Sequence, residues 1–451
     1  MNLVVWARRQ RAGLLSYDGA MSRFAFKYEP DWIAHRGAFA LGPTLPLTPD
    51  PEQNADQHSA AVRQFFQNLL PEGQALEDAA GVNNVSTTSV MGLLHVLGRE
   101  TAGALMFTLP DEEPGQLGQP SRLLTDAELS QRIRERPQMP FSVWDGKVRL
   151  SIAGYQDKLA VYQEDGQWFL VEDPRLASTL IAKPEPIARF MAGMTTNEFM
   201  CMRLAAALKL PVANVHLRHV PEPMLVIERF DRIVMPAADG KTFVQRIHCI
   251  DGCQALGLPV DFKYERPYGD APDVRNVRDG ASLNRFLTLL DDKAITPAPG
   301  VSKLHFLRWA IFQVLIANTD AHAKNMGFFC ENGGLTVAPA YDLVCALVYA
   351  GDNVQDTLAM AVGDNFDPLR IGACDWAQMA YENKLAPRLV ASELRRMAKA
   401  CLDVLPGLAR KLENEGAQRA MLLRVQDVVA RQAAEAMRVA PLISKVDKSL
   451  F

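Results

Sequence analysis

Three polar residues carry the strongest chemical signal in this chain: Asp320 and Asn325 in ANTDAHAKN, and Asp342 in the following LTVAPAYDLV. An acid, then an amide five positions on, then a second acid, is a set suited to transferring a phosphoryl group to a hydroxyl. That reaction needs a carboxylate to orient the attacking O–H and accept its proton, and hard oxygen donors for a Mg²⁺ ion that bridges the phosphates. Asp320 fits the first role, and Asn325 with Asp342 the second. Lys324 adds a cation that could face a phosphate, and His322 packs or hydrogen-bonds within the loop. The plainer reading is that Asp320 caps a helix and Asn325 turns the chain, since both residue types often do so.

The rest of a nucleotide site occurs upstream in matching order, and the five-residue interval is the one that protein kinases keep between the catalytic-loop Asp and Asn. RLSIAGYQDKLAVY (149–162) reads as a strand, a turn containing Gly154 and a second strand. Ser151, Ala153 and Gly154 are small enough to leave backbone N–H groups open to a phosphate. No G-x-x-x-x-G-K-[ST] occurs to suggest a P-loop instead. Lys183 in STLIAKPEP ends an apolar strand, where it either neutralises the α- and β-phosphates or is an edge lysine beside a turn. Glu198 either pairs with Lys183 or closes a T-x-x-E capping box with Thr195. VQRIHCIDG (244–252) falls where a hinge would offer backbone groups to an adenine. His248, Cys249 and Cys253 lie close together there, but no second ligand pair at metal-binding spacing accompanies them.

The elements that must position these residues suggest an α+β chain in three regions. Residues 1–120 open with strand-like VVW and LLSY around an Arg/Gly turn, then alternate Phe24, Phe26 and Tyr28. Val62, Phe65, Phe66, Leu69 and Leu70 share one helical face, and Val90, Leu93, Leu94 and Leu97 another. LPDEEPGQLGQPS (109–121) is a linker by composition. Residues 121–255 start with a T-x-x-E capping box at Thr125 and Glu128, then turn strand-rich: VRLSIAG, KLAVYQ, an EDG turn and WFLVE. From 256 to 451 the periodicity is helical, and KLHFLRWAIFQVLIAN (303–318) is apolar on almost all sides, which predicts a core helix.

Composition narrows the class. With 48 Lys and Arg against 52 Asp and Glu, the formal charge is −4 and no long run of one sign occurs, so direct, tight DNA binding by this chain is not indicated. Seven scattered cysteines read as reduced thiols. No apolar stretch is long enough to cross a bilayer, and MNLVVWARRQRAG has no signal-peptide pattern, so we expect a cytoplasmic protein without membrane contacts.

The motifs together resemble the HipA family of bacterial serine/threonine kinases, the toxin half of the HipBA toxin–antitoxin pair. LVVWARRQRAGLL, FKYEPDWIA, LPLTP, FFQNLLPEG and GRETAGAL are similar to the family's N-terminal unit. SIAGYQDK, NEFMCMRLA, ERFDR, CQALGLP with KYE, TDAHAKN and YD are similar to its kinase core. The resemblance implies a two-lobed kinase-like fold, with a β-rich small lobe and a helical large lobe behind an N-terminal α+β subdomain. It implies ATP and Mg²⁺ as cofactors and Ser151 as an autophosphorylated serine. ATP contacts would come from Ala153, Gly154, Tyr155, Gln156, Asp157 and Lys158, from Lys183, from Cys249, Ile250 and Asp251, and from His322, Lys324, Asn325, Tyr341 and Asp342. Asp320 would be the base, and Asn325 and Asp342 the metal ligands. Tyr155 and Asp157 depart from the family's loop pattern, which has Ala and Glu there. The implied partners are a HipB-like helix-turn-helix antitoxin, DNA only through that antitoxin, and an aminoacyl-tRNA synthetase substrate, typically the glutamyl enzyme. Two rival readings are a small-molecule kinase on the same scaffold and a catalytically weak corepressor.

Overall fold

The structure is a computed structural model that describes residues 1–114, 121–149, 156–173, 175–237, 241–331, 333–351 and 355–451. Ser151, Ala153, Gly154 and Tyr155 of the expected phosphate loop, and residues 115–120 of the 109–121 linker, lie outside the described residues. The chain forms two units. One comprises Met1–Pro184, Arg218–Val260 and Phe328–Gly334; the other comprises Glu185–Leu217, Asp261–Gly327 and Leu335–Phe451. The expected regions 1–120 and 121–255 thus fall mainly in the first unit.

In the first unit, Asn2–Ala7, Gln10–Asp18, Arg23–Tyr28 and Leu105–Thr108 form a four-stranded sheet in the order third, second, first, fourth. Ala7 pairs with Gln10, so Arg8 and Arg9 alone make the turn, both with positive φ (49° and 66°). That geometry matches the twist of a two-residue hairpin. The helices Ala55–Gln67 and Val90–Leu97 supply the apolar faces expected of them. Phe66 meets Phe26 and Phe107 of the sheet at ring separations of 5.6 and 5.7 Å. Leu69 and Leu70 are buried too, although they lie beyond the helix end.

The second sheet of this unit runs in the order Val215–His219, Pro223–Glu228, Leu180–Pro184, Leu159–Glu164, Gln167–Leu170, Arg122–Leu124. The EDG turn is a tight hairpin with Asp165 and Gly166 both left-handed. Ahead of it the capping box is present: Glu128 N–H donates to Thr125 Oγ1 at 3.2 Å, and Thr125 N–H donates to the Glu128 carboxylate at 3.0 Å. Of VRLSIAG (148–154) only Val148 and Arg149 are described, and Val148 ends the short strand Lys147–Val148, which pairs with Val143–Trp144.

The second unit is mainly helical. Pro299–Leu315 is its central helix, with Phe306, Leu307 and every residue from Trp309 to Leu315 buried. Leu283–Asp291, Pro387–Asn414 and Arg419–Ile443 pack around it. The Thr195/Glu198 capping box does not form. The helix Met194–Ala207 has already begun there, with Gly193 at φ +83° as its N-cap. The Glu185 carboxylate takes the cap instead, accepting from the backbone N–H of Gly193, Met194 (3.1 Å) and Thr195 (3.2 Å) and from Thr195 Oγ1 (2.6 Å). A full negative charge on the positive end of the helix dipole satisfies more orphan N–H groups than a local Thr–Glu exchange would. Among the described residues no helix is long and apolar enough to cross a membrane.

Candidate functional site

The central helix ends in a tight exit. Ala317 takes φ +49°, and residues 318–325 then fold back as a loop held by its own polar groups. Asn318 is buried and bridges the exit, its Nδ2 donating to Gln313 Oε1 (2.9 Å) while its Oδ1 accepts from Asp320 N–H (3.2 Å). The Asp320 carbonyl accepts from His322 N–H (2.8 Å) and from Asn325 Nδ2 (2.9 Å). From 318 to 325 every residue is buried except Asp320, whose side chain is 61% exposed. The loop therefore buries its other side chains and presents one carboxylate outward. The His322 ring stands edge-on to Tyr264 (5.0 Å, 89°), with Nε2 4.0 Å from Asp320 Oδ1.

Asn325 spends its amide nitrogen on the Asp320 carbonyl, so the group it has for a cation is its carboxamide oxygen, a hard donor. Asp342 is fixed from three directions. Ala340 N–H donates to Pro211 O and Ala340 O accepts from Ala213 N–H, each at 2.9 Å. Tyr341 OH donates to Lys324 O (2.8 Å), tying this segment to the Asp320 loop. Asn197 clamps the Cys345 backbone from the far side, accepting its N–H (2.9 Å) and donating to its carbonyl (3.0 Å). Asp342 itself has φ +55°, a conformation that Asp tolerates better than most side chains and that aims it differently from its neighbours. An amide oxygen and a carboxylate suit Mg²⁺, which binds few protein ligands and completes its shell with phosphate and water. No group of three His, Cys, Asp or Glu suited to a metal occurs among the described residues.

The other predicted residues belong to the first unit. Lys183 is buried on Leu180–Pro184, in register with Leu225. Gln156 Nε2 donates to Pro184 O (3.2 Å), which brings the end of the expected phosphate loop to the strand that carries Lys183. Asp157 is salt-bridged to Arg136 (3.5 Å); burial pushes its carboxyl above the usual range, and Arg136 only partly offsets this. Lys158 is half-buried. Cys249 and Ile250 are buried on the strand Cys249–Asp251, and Gly103 lies so close over Cys249 that a Cβ there would come within 2.5 Å of its carbonyl. The Asp251 side chain caps Gly252–Leu256, accepting from Gln254 N–H at 2.8 Å. His248 is a core histidine stacked on Phe39.

Sequence reasoning assigned no role to Asn197, Asn318 or Tyr264. Asn197 stands out only as an amide inside the apolar helical stretch NEFMCMRLA. Tyr264, in KYE, donates its hydroxyl to Asp320 Oδ1 at 2.6 Å.

Comparison with known proteins agrees over nearly the whole length. Residues 3–108 match the HipA N-terminal domain family, and residues 150–405 match the HipA-like C-terminal domain family. A serine/threonine-protein kinase toxin HipA from Shewanella oneidensis is 37% identical over 393 residues, which is 86% of this chain and 84% of that protein. The solved complex of the Shewanella oneidensis toxin–antitoxin proteins HipA and HipB with operator DNA contains a chain that superposes with a TM-score of 0.84 at 32% identity, over 99% of this chain and 100% of that one.

Proposed function

Because this chain belongs to the HipA family and is a serine/threonine kinase, we propose that it transfers the γ-phosphoryl group of ATP from the centre formed by Asp320, Asn325 and Asp342, and that it does so as the toxin of a toxin–antitoxin pair. The observation that carries this reading is the one outward carboxylate of an otherwise buried polar loop, Asp320, with Asn325 hydrogen-bonded to its carbonyl.

In this mechanism Asp320 orients the acceptor hydroxyl and takes its proton as the phosphoryl group departs from ATP. The Asn325 carboxamide oxygen and the Asp342 carboxylate hold magnesium, which when bound screens the charge on the phosphates. Lys183 supplies the ammonium for the α- and β-phosphates. The backbone of 249–251 receives the adenine, with His322, Lys324 and Tyr341 beside the nucleotide. Ser151 is the autophosphorylation site; a phosphate there adds about −1.5 to −2 charges to a loop that must hold ATP, and so lowers activity. The acceptor protein is an aminoacyl-tRNA synthetase, the glutamyl enzyme first. The partner is a HipB-like antitoxin, through which the chain reaches DNA, as in the Shewanella complex that contains HipB and operator DNA.

The test is label transfer from γ-labelled Mg-ATP to host lysate and to the chain itself, with phosphosites mapped. Asp320→Ala removes a charge without opening a core cavity and keeps its thermal midpoint; Asp342→Ala also strains the left-handed backbone at that position, so it melts lower but still cooperatively; each loses about a hundredfold or more in rate. Transfer that persists in either variant refutes the assignment. Label found on a metabolite rather than on protein refutes the protein-kinase reading, and an unlabelled Ser151 after long incubation refutes the autophosphorylation site.

A further inference from the structure

We infer that Tyr264 is a positioning residue for Asp320: it fixes which carboxylate oxygen faces the acceptor hydroxyl. The inference rests on the reading of Asp320 as the base. An exposed carboxylate on a loop rotates readily about its last side-chain bond, and a rotating base presents its oxygen to the acceptor only part of the time. Here the phenol donates to Oδ1 at 2.6 Å, a short, charge-assisted bond. A carboxylate gripped at one oxygen presents the second in a fixed direction.

The donor is itself held. Ala323 N–H of the catalytic loop donates to Lys263 O (3.0 Å), so the backbone next to Tyr264 is bonded to the loop that its hydroxyl serves. On the other side Ala281 N–H donates to Phe262 O (2.9 Å) and Gly280 N–H to Glu265 O (3.2 Å). Gly280 is needed there, because a Cβ at that position would come within 1.8 Å of Tyr264 O. Glu265 N–H reaches Ala359 O (2.9 Å), and the Glu265 carboxylate accepts from Ala361 N–H (2.7 Å) and from Arg278. The ring is set by its edge contact with His322 and by Lys263, whose Nζ lies 5.6 Å from the ring centroid. His322 Nε2, at 4.0 Å from Asp320 Oδ1, is beyond hydrogen-bonding distance and does not substitute for the phenol. Backbone bonds on both flanks of a half-buried tyrosine make the hydroxyl a preorganised donor.

The experiment uses the purified full chain with γ-labelled Mg-ATP and follows loss of label from ATP, whatever the acceptor. Tyr264→Phe is expected to lower the saturating rate roughly 10- to 100-fold while leaving the half-saturating ATP concentration and the thermal midpoint unchanged, because orientation of the base is lost and nucleotide binding is not. An unchanged rate, a fall matched by weaker ATP binding, a faster reaction, or a variant without a cooperative melt each overturns the inference. Asp320→Asn is run in parallel. If it stays active, the reading of Asp320 fails; if it is inactive while Tyr264→Phe reacts normally, only the role of Tyr264 fails.

Discussion

The buried His248 shows how a single ring couples folding to pH. Its Nε2 lies 2.8 Å from Leu41 O, a group that can only accept, so Nε2 carries a proton, and it is burial that disfavours a second one on the ring. Burial pushes the imidazole down from 6.5 to about 4, and the hydrogen bond to Leu41 only partly offsets this. Below pH 6.5 the unfolded chain takes up a proton that the folded chain refuses, so stability falls as pH drops from about 6.5 to about 4. The loss from this group is roughly 3 kcal/mol across that window. Asp231 acts elsewhere on the scale. Burial alone would raise its carboxyl, but Arg229 and Arg232 outweigh burial and hold it well below the usual range. A depressed carboxylate stabilises the fold above its unfolded value near 4 and loses that contribution only as pH falls further. The two groups are therefore separable. Urea midpoints at pH 7 and pH 5 should differ in the wild type and differ less in His248→Gln; equal differences would show that another group carries the slope.

At the scale of elements, the helix Met194–Ala207 orients the segment that carries Asp342. It does so through Asn197, which is fully buried and makes two bonds to the Cys345 backbone 148 positions away. Asn197→Ala strands a buried N–H and a buried carbonyl, at a cost of about 1–3 kcal/mol each. Residues 341–346 should then exchange their amide hydrogens faster, and phosphotransfer should fall while the chain stays folded. Unchanged exchange there would mean that the bridge of Ala340 to Pro211 and Ala213 suffices to hold Asp342. What was legible in the sequence follows the same distinction of range. The apolar faces at Val62 and Leu93, the Asp165–Gly166 turn and the Asp320–Asn325 interval are local patterns, settled within a few residues. The cap of Met194–Ala207 was misread because Glu185 reaches it from outside the local window. Tyr264 stayed invisible because its partner is 56 positions away, and no spacing rule predicts a phenol at a carboxylate across such a gap.

For the whole molecule, the formal charge of −4 bears on how it meets DNA. On the two longest helices four of the ten exposed cations have an acid one turn away: Lys399 with Asp403, Arg396 with Glu393, Arg431 with Asp427 and Arg438 with Glu435. Each such pair is locally neutral. Nonspecific DNA affinity comes from releasing counterions where a continuous cationic stripe meets phosphates, and a surface that pairs its cations internally releases few. With 48 basic against 52 acidic residues, the chain has no net positive charge to draw a duplex. The chain alone should therefore leave a duplex from upstream of its own reading frame unshifted at about 150 mM salt, where charges are screened beyond roughly 8 Å. Adding a helix-turn-helix antitoxin should produce a shifted complex that contains both proteins. A shift by the chain alone that survives that salt concentration would mean that it contacts DNA directly, and the proposed route through the antitoxin would be wrong.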